Sequence, residues 1–329
     1  MKDLPDMMQV IEMDGAGSPD VLVSRSRPTV APDPGHVLIR VVAAGVNGPD
    51  MVQRRGHSPP PKGASDLLGL EVSGQVVSVG ADVTGWQPGD TICALTNGGG
   101  YAEYVSVRAD HCLPIPQGVS VIDAAGLPET FFTVWSNVFL DHALPENGRF
   151  LVHGGSGGIG STAVQLGTAM GLEVYTTVEA GDPADFAASL GAVRCIDFRT
   201  EDFVAICREA GGMDIVLDII GGDYVARNIK AARHDARIIQ LAFNAGSKVE
   251  IDLMPVMLKR ISYTGSTLRS RSDAFKARVA AALRDEVWPL FASGALRPVT
   301  HAVLPLAQAA KAHRMMERAG HLGKILLTP

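Results

Sequence analysis

The chain has 329 residues, enough for two domains with separate cores. Hydrophobic content of 46% and charged content of 19% are those of a globular protein, and a net charge of −6 carries no basic footprint for nucleic acid. No apolar run reaches the ~18 residues of a membrane span. The N-terminal stretch Met1-Lys2-Asp3-Leu4-Pro5-Asp6 has no hydrophobic signal core. Cys93, Cys112, Cys195 and Cys207 are too scattered for a disulfide framework or a zinc lobe. The expectation is a cytoplasmic protein with reduced thiols and neither a membrane nor a nucleic-acid partner.

Residues 1–126 are rich in Gly, Pro and Val and poor in helical periodicity. Strands are predicted at Met8–Met13, His36–Ala44, Glu71–Val79, Thr91–Ala94 and Tyr101–Val107, punctuated by turn signals such as Pro88-Gly89-Asp90. That spacing predicts a mainly-β, barrel-like domain. From residue 127 strand and helix alternate. Strands are predicted at Phe150–His153, Glu173–Val178, Arg194–Phe198, Asp214–Ile220, Arg237–Phe243 and Ile261–Gly265. Helices fall at Ile159–Met170, Pro183–Leu190, Glu201–Ala210 and Tyr224–Ala232. Such alternation predicts an α/β fold, a doubly wound parallel sheet covered on both faces, with ligand off the C-terminal strand ends. Amphipathic helices over 273–294 and Leu306–Arg318 and a strand at Lys324–Leu327 close the chain.

The most informative stretch lies at the first strand-to-helix turn of the alternating region. There Phe150-Leu151-Val152-His153 runs into Gly154-Gly155-Ser156-Gly157-Gly158-Ile159-Gly160. Gly155, Gly157 and Gly160 satisfy G-x-G-x-x-G, which supplies a tight turn, a bare backbone for a pyrophosphate and a close helix–strand contact. Ser156, Gly158 and Ile159 complete the cradle, and the helix that follows aims its free N–H groups at the phosphates. About 20 residues on, where the acid that reads the adenosine ribose is expected, stands Glu179. A carboxylate accepts both ribose hydroxyls and repels a 2′-phosphate, so read from the residues alone this position favours NAD(H).

A further pattern lies in segments outside that turn. They are Ala43-Ala44-Gly45-Val46-Asn47-Gly48-Pro49-Asp50, Leu68-Gly69-Leu70-Glu71-Val72-Ser73-Gly74 and Gly98-Gly99-Gly100-Tyr101-Ala102-Glu103-Tyr104-Val105. To these add Glu129-Thr130-Phe131-Phe132-Thr133-Val134-Trp135, Gly265-Ser266-Thr267-Leu268-Arg269 and His321-Leu322-Gly323-Lys324-Ile325-Leu326-Leu327. Together they resemble the medium-chain dehydrogenase/reductase superfamily over essentially the whole chain, and within it the zinc-independent quinone oxidoreductase branch that includes zeta-crystallin. The resemblance implies a Rossmann domain of residues 127–269 and a discontinuous GroES-like catalytic domain of residues 1–126 and 270–329. It further implies nicotinamide and substrate in a cleft between the domains, and a homodimer joined at the sheet edge Ile261–Gly265.

Zinc-dependent relatives carry a cysteine where this chain has Asn47 and Gly-His-Glu where it has Gly69-Leu70-Glu71, so two usual ligands are missing and no zinc is expected. Without a Lewis acid to hold an alkoxide, alcohol oxidation is disfavoured relative to reduction of an electrophilic acceptor. Glu71 is then a hydrogen-bonded structural acid or a catalytic one. By resemblance Asn47 positions the nicotinamide ribose or carboxamide; as a bare loop residue it would make an Asx turn. Val52 stands where several relatives have a tyrosine, so no phenol is available there as a proton donor.

The resemblance also assigns cofactor contacts to Thr133, Phe243, Leu268 or Arg269, Gly323 and Lys324, the last two closing over the pyrophosphate. Read without it, Thr133 is a helix cap, Phe243 is core, and Arg269 and Lys324 are solvated charges. Relatives mostly use NADPH, gripping its phosphate with Ser, Lys and Tyr where this chain has Ala180, Pro183 and Phe198; Arg199 is a nearby replacement charge. NADPH is therefore expected from the family and NADH from Glu179. The implied activity is NAD(P)H:quinone oxidoreduction. Reduction of a 2-alkenal or enoyl thioester and a redox-sensing role without turnover are the alternatives. Asp218 reads as structural, and no residue stands out as a general acid, so solvent is expected to deliver the proton.

Overall fold

The computed structural model describes residues 4–318 and 320–329, so Met1–Asp3 of the stretch read as lacking a signal core lie outside the described residues. One unit runs to Phe132 and resumes at Arg269–Pro329; the other is Thr133–Leu268. The first break falls inside the helix Pro128–Val134, not ahead of residue 127 where the sequence pattern changes. The reason is packing: Phe131 lies 5.9 Å from the Trp288 ring and 5.5 Å from Phe291, both from the returning segment.

The first unit contains β1 (Met7–Met13), β2 (Leu22–Pro28), β3 (His36–Gly45), β4 (Glu71–Val79), β5 (Thr91–Leu95), β6 (Tyr104–Arg108) and β7 (Cys112–Pro114). The second contains β8 (Arg149–His153), β9 (Glu173–Val178), β10 (Arg194–Asp197), β11 (Met213–Asp218), β12 (Ala232–Gln240) and β13 (Ser262–Gly265). The chain then gives β14 (Thr300–Pro305) and β15 (Lys324–Thr328) to the first unit.

In the first unit β1 and β2 form a hairpin, and a larger sheet has the order β14-β15-β3-β4-β5-β7. β3 organises it. Its β-branched run alternates toward a core of Val37, Ile39, Val41, Val72, Val76 and Ile92, each such side chain contributing roughly 1.5–3 kcal/mol on burial. One edge of β3 is shared: β6 pairs along His36–Arg40, and β15 pairs at Ala44 and Gly45. That pairing brings the C-terminal Lys324 to the end of β3, beside Asn47. Three strands were not legible in sequence. β2 carries Arg25 and Arg27 on a mostly exposed hairpin, β7 has three residues, and β14 is half exposed. β6 begins at Tyr104 and not Tyr101, because Tyr101 donates its N–H to Leu68 and turns there.

The second unit is a parallel six-stranded sheet of order β10-β9-β8-β11-β12-β13, reversing between β8 and β11 as in a doubly wound nucleotide fold. β12 starts at Ala232, ahead of the predicted Arg237, and stops before Phe243. β11 stops at Asp218 because that carboxylate accepts the N–H groups of Ile220 and Gly221, turning the chain. The segment predicted as one helix over 273–294 is two, Asp273–Ala282 and Trp288–Ala292, joined by a π turn at Leu283–Val287. Pro289 lacks the N–H and cannot continue the regular ladder. Among the described residues no helix is long and apolar enough to cross a membrane.

Candidate functional site: a nucleotide turn and a buried polar cluster

β8 delivers the chain to Gly154, whose φ of +78° lies in the region that favours glycine. The three motif glycines then serve different needs. A Cβ on Gly155 would overlap the Thr176 side chain on β9, and one on Gly160 would overlap the Gly154 carbonyl. These two are fixed by the protein's own packing. Gly157 is not: a Cβ there would find nothing nearer than the Gly154 oxygen at 3.9 Å. The bare position opens on space at the N-terminus of the helix Gly158–Ala169, flanked by Ser156 and begun by the free N–H groups of Gly158, Ile159 and Gly160. A pyrophosphate fits that cradle.

A buried chain of hydrogen bonds holds the floor of the turn. Asn228 donates to Asp218 at 2.9 Å, its Oδ1 meets His153 Nε2 at 2.7 Å, and His153 Nδ1 meets the Thr177 hydroxyl at 2.9 Å. Burial pushes the His153 imidazole down. Asp218 is structural, its carboxylate filled by three donors.

Glu179 follows β9, half-exposed, and its carboxylate meets the Arg199 guanidinium at 2.9 Å. Arg199 therefore pairs with the acid that follows β9. Ala180 and Phe198 are exposed and offer no polar grip, and neither does Pro183. Phe243 is exposed beyond β12 and not core, while Leu268 is buried. Thr133 lies within the helix Pro128–Val134 and does not cap it; its carbonyl accepts from Asn137 at 2.7 Å.

The first unit gathers a second set of predicted residues. Asn47 precedes the helix Gly48–Arg54, and its N–H donates to Asp50 of the first turn at 2.9 Å. Its side chain makes no Asx turn. Nδ2 donates to Glu71 Oε1 at 2.8 Å, and Oδ1 accepts from Lys324 Nζ. Lys324 Nζ also donates to the Val46 carbonyl and pairs with Glu71 at 2.7 Å. Glu71 is fully buried and takes a third donor, the Glu129 N–H at 2.8 Å. A Cβ on Gly45 would overlap the Glu71 carboxylate, so β3 needs a glycine there.

This arrangement corrects two expectations. Lys324 is not a solvated charge: its ammonium neutralises a carboxylate that burial would otherwise leave uncompensated. Arg269 is likewise not solvated. It is anchored within the first unit on the Asn97 carbonyl and, at 2.6 Å, on Gln53 Oε1. Gly323 has a φ of +81° and no room for a Cβ against Val299, so the turn into β15 requires it.

Asp50 and its surroundings were not singled out by sequence reasoning. The Asp50 carboxylate accepts the Asn47 and Gly69 N–H groups and the Tyr101 hydroxyl, and burial pushes it up to about 6. Tyr101 also meets His313, which burial and then Arg54 push down to about 3. The spacing Asn-x-x-Asp, a helix-start signal, was the available clue. Glu129, also missed, is the acid in the otherwise apolar Leu127-Pro128-Glu129-Thr130-Phe131-Phe132.

Asn47 and Leu70 supply no anionic ligand, Glu71 is paired with Lys324, and among the described residues no three His, Cys, Asp or Glu side chains group to hold a metal.

Two family models match: a zinc-binding dehydrogenase model over residues 190–327 and an alcohol dehydrogenase GroES-like domain over residues 33–117. The chain is 29% identical to the quinone oxidoreductase of Sus scrofa, covering 98% of each. It is 32% identical to the spectinabilin polyketide synthase system protein NorB of Streptomyces orinoci, aligning over 95% of this chain. Of the polyketide synthases it matches, the chain spans only 6%, 14% and 19% of the length. The structure of Escherichia coli quinone oxidoreductase complexed with NADPH superposes with a TM-score of 0.87 at 25% identity, covering 98% of this chain and 100% of that one. The chain belongs to the medium-chain dehydrogenase/reductase superfamily, in the form of a quinone-oxidoreductase-like protein with a GroES-like unit and a Rossmann unit. Two of the structures similar to this chain, a mycobacterial protein at 26% identity and the Escherichia coli quinone oxidoreductase, were solved in complex with NADPH.

Proposed function

We propose that this protein is a metal-free NAD(P)H-dependent reductase of quinone-like acceptors. One observation carries the reading. The bare Gly157 cradle is joined in one chain to a polar cluster in which the Lys324 ammonium neutralises Glu71 and the Asn47 amide stands where zinc-dependent relatives carry a cysteine. The bound cofactor supplies hydride, and a quinone needs no Lewis acid to accept it. Anaerobic stopped-flow with a panel of quinones is expected to show oxidation of reduced nicotinamide; silence with every quinone sinks the reading. The polyketide synthase matches favour a second reading, reduction of a 2-alkenal or enoyl thioester. Faster turnover of enones than of quinones in the same panel would select it.

NADPH is the proposed cofactor, with Arg199 facing the 2′-phosphate and Glu179 opposing it. Glu179→Ser should raise the preference for NADPH over NADH about tenfold, a change of ~1.4 kcal/mol, and Arg199→Ala should lower it. Unchanged kcat/KM ratios in both variants would dismiss the pair as the discriminator.

A homodimer through the second unit is part of this reading. β13 is an edge strand with all four residues exposed. Beside it in sequence, the helix Met254–Lys259 buries none of its residues, leaving Leu253, Met257 and Leu258 at 62%, 64% and 61% exposure. An apolar patch next to an open edge invites a second copy. Sedimentation should give a dimer that Leu258→Glu converts to monomer; a monomeric wild type refutes it. The four thiols, unpaired in the fold, support a reducing, cytoplasmic setting.

A further inference from the structure

We propose that His153 is a positioning residue for the nucleotide: through Thr177 it locks the glycine turn to the strand end that leads to Glu179, and so sets the cradle before the phosphates arrive. The proposal rests on nicotinamide nucleotide binding at that turn, and every residue it uses lies in the unit Thr133–Leu268.

His153 closes β8, and Thr177 is its Cα partner on β9, so the two side chains leave the sheet on one face. The direction of each bond follows from the group that can only accept. The Asp218 carboxylate takes the Asn228 Nδ2 at 2.9 Å, which turns the amide oxygen toward the imidazole. That oxygen also accepts, so the ring proton sits on His153 Nε2, 2.7 Å away. Nδ1 of the neutral ring is then an acceptor, and the Thr177 hydroxyl donates to it at 2.9 Å. Thr177 grips the turn with its other polar group: its carbonyl accepts the Gly154 N–H at 3.0 Å and the Gly155 N–H at 3.3 Å. On the opposite face the Thr176 hydroxyl donates to the Val152 carbonyl at 2.8 Å and fills the space that a Gly155 Cβ would need. Glu179 lies two residues beyond Thr177.

The chain is fully buried, and its imidazole lies 4.9 Å from the Phe203 ring and 4.8 Å from the Tyr224 ring, in a setting where an apolar side chain would pack. Buried polar groups in such a place gain little stability over apolar ones. Fully satisfied, they fix one arrangement of the elements they join. None of these four side chains has a buried nitrogen or oxygen without a hydrogen-bond partner. The elements joined are the C-terminal ends of β9, β8 and β11, and the sheet order reverses between β8 and β11. An open α/β sheet takes its ligand in that crevice. A glycine turn is costly to order, and one ordered in advance relieves the nucleotide of that cost.

The test uses His153→Leu, Thr177→Val and the double variant. Each single variant should weaken NADPH binding about tenfold, roughly the worth of one hydrogen bond. The double variant should bind no more weakly than either single one, because the two residues act as a unit. In the cofactor-free protein, amide hydrogen exchange should quicken at Gly154 and Gly155 well beyond any change at Ile238 and Ile239 of β12. A merely structural loss would quicken all four alike. If leucine prevents folding, Thr177→Val carries both readouts, since valine keeps the strand and the carbonyl. Faster exchange at the turn with unchanged NADPH affinity overturns the positioning role and leaves the nucleotide site standing. Additive losses in the double variant, or equal quickening at all four amides, also overturn it. A wild type that binds neither NADPH nor NADH overturns the nucleotide reading and the role of His153 together.

Discussion

Replacing Lys324 by methionine is expected to destabilise the first unit by about 3–5 kcal/mol, the usual cost of leaving a buried charge without its partner. Glu71 has no solvent to turn to, and its carboxylate would keep only the Asn47 amide and the Glu129 N–H. The Asn47 Oδ1 and the Val46 carbonyl would lose their donor in the same stroke. Adding Glu71→Gln to Lys324→Met should recover much of the loss, because removing both charges leaves neither uncompensated. Urea denaturation of wild type, both single variants and the double variant closes that cycle. The same experiment separates two roles for the lysine. If it chiefly met a pyrophosphate, Lys324→Met would keep its denaturation midpoint and lose nucleotide affinity.

The second large effect is expected at the glycine turn, where two glycines of one motif should fail in opposite ways. Gly157→Ala has room inside the protein and should fold with an unchanged midpoint. Its methyl group would occupy the cradle, and NADPH affinity should drop about 10- to 100-fold, or ~1.4–2.8 kcal/mol. Gly160→Ala meets the Gly154 carbonyl and should lose stability before binding is measured at all. Calorimetry and fluorescence titration of the two variants give the contrast. Equal nucleotide affinity in wild type and Gly157→Ala would mean the phosphates lie elsewhere.

Much of this was written in the local sequence. The alternation of apolar strands with helices announced a parallel doubly wound sheet, and Gly155, Gly157 and Gly160 marked its first turn, because periodicity and glycine need follow from backbone geometry alone. The missing ligands at Asn47 and Leu70 could be read one residue at a time. Other features could not. β2, β7 and β14 are short or charged strands that exist only because neighbours pair with them. The roles of Lys324 and Arg269 depend on groups that approach from more than 200 residues away in the chain. Lys324 looks like any solvated lysine until β15 pairs with β3 and sets it against Glu71. Sequence by itself determined the two folds and the nucleotide turn, since those rest on local periodicity and backbone freedom. Tertiary structure alone decided which charges are paired and which are buried, because burial and opposite charge act through space, and chain order does not record them.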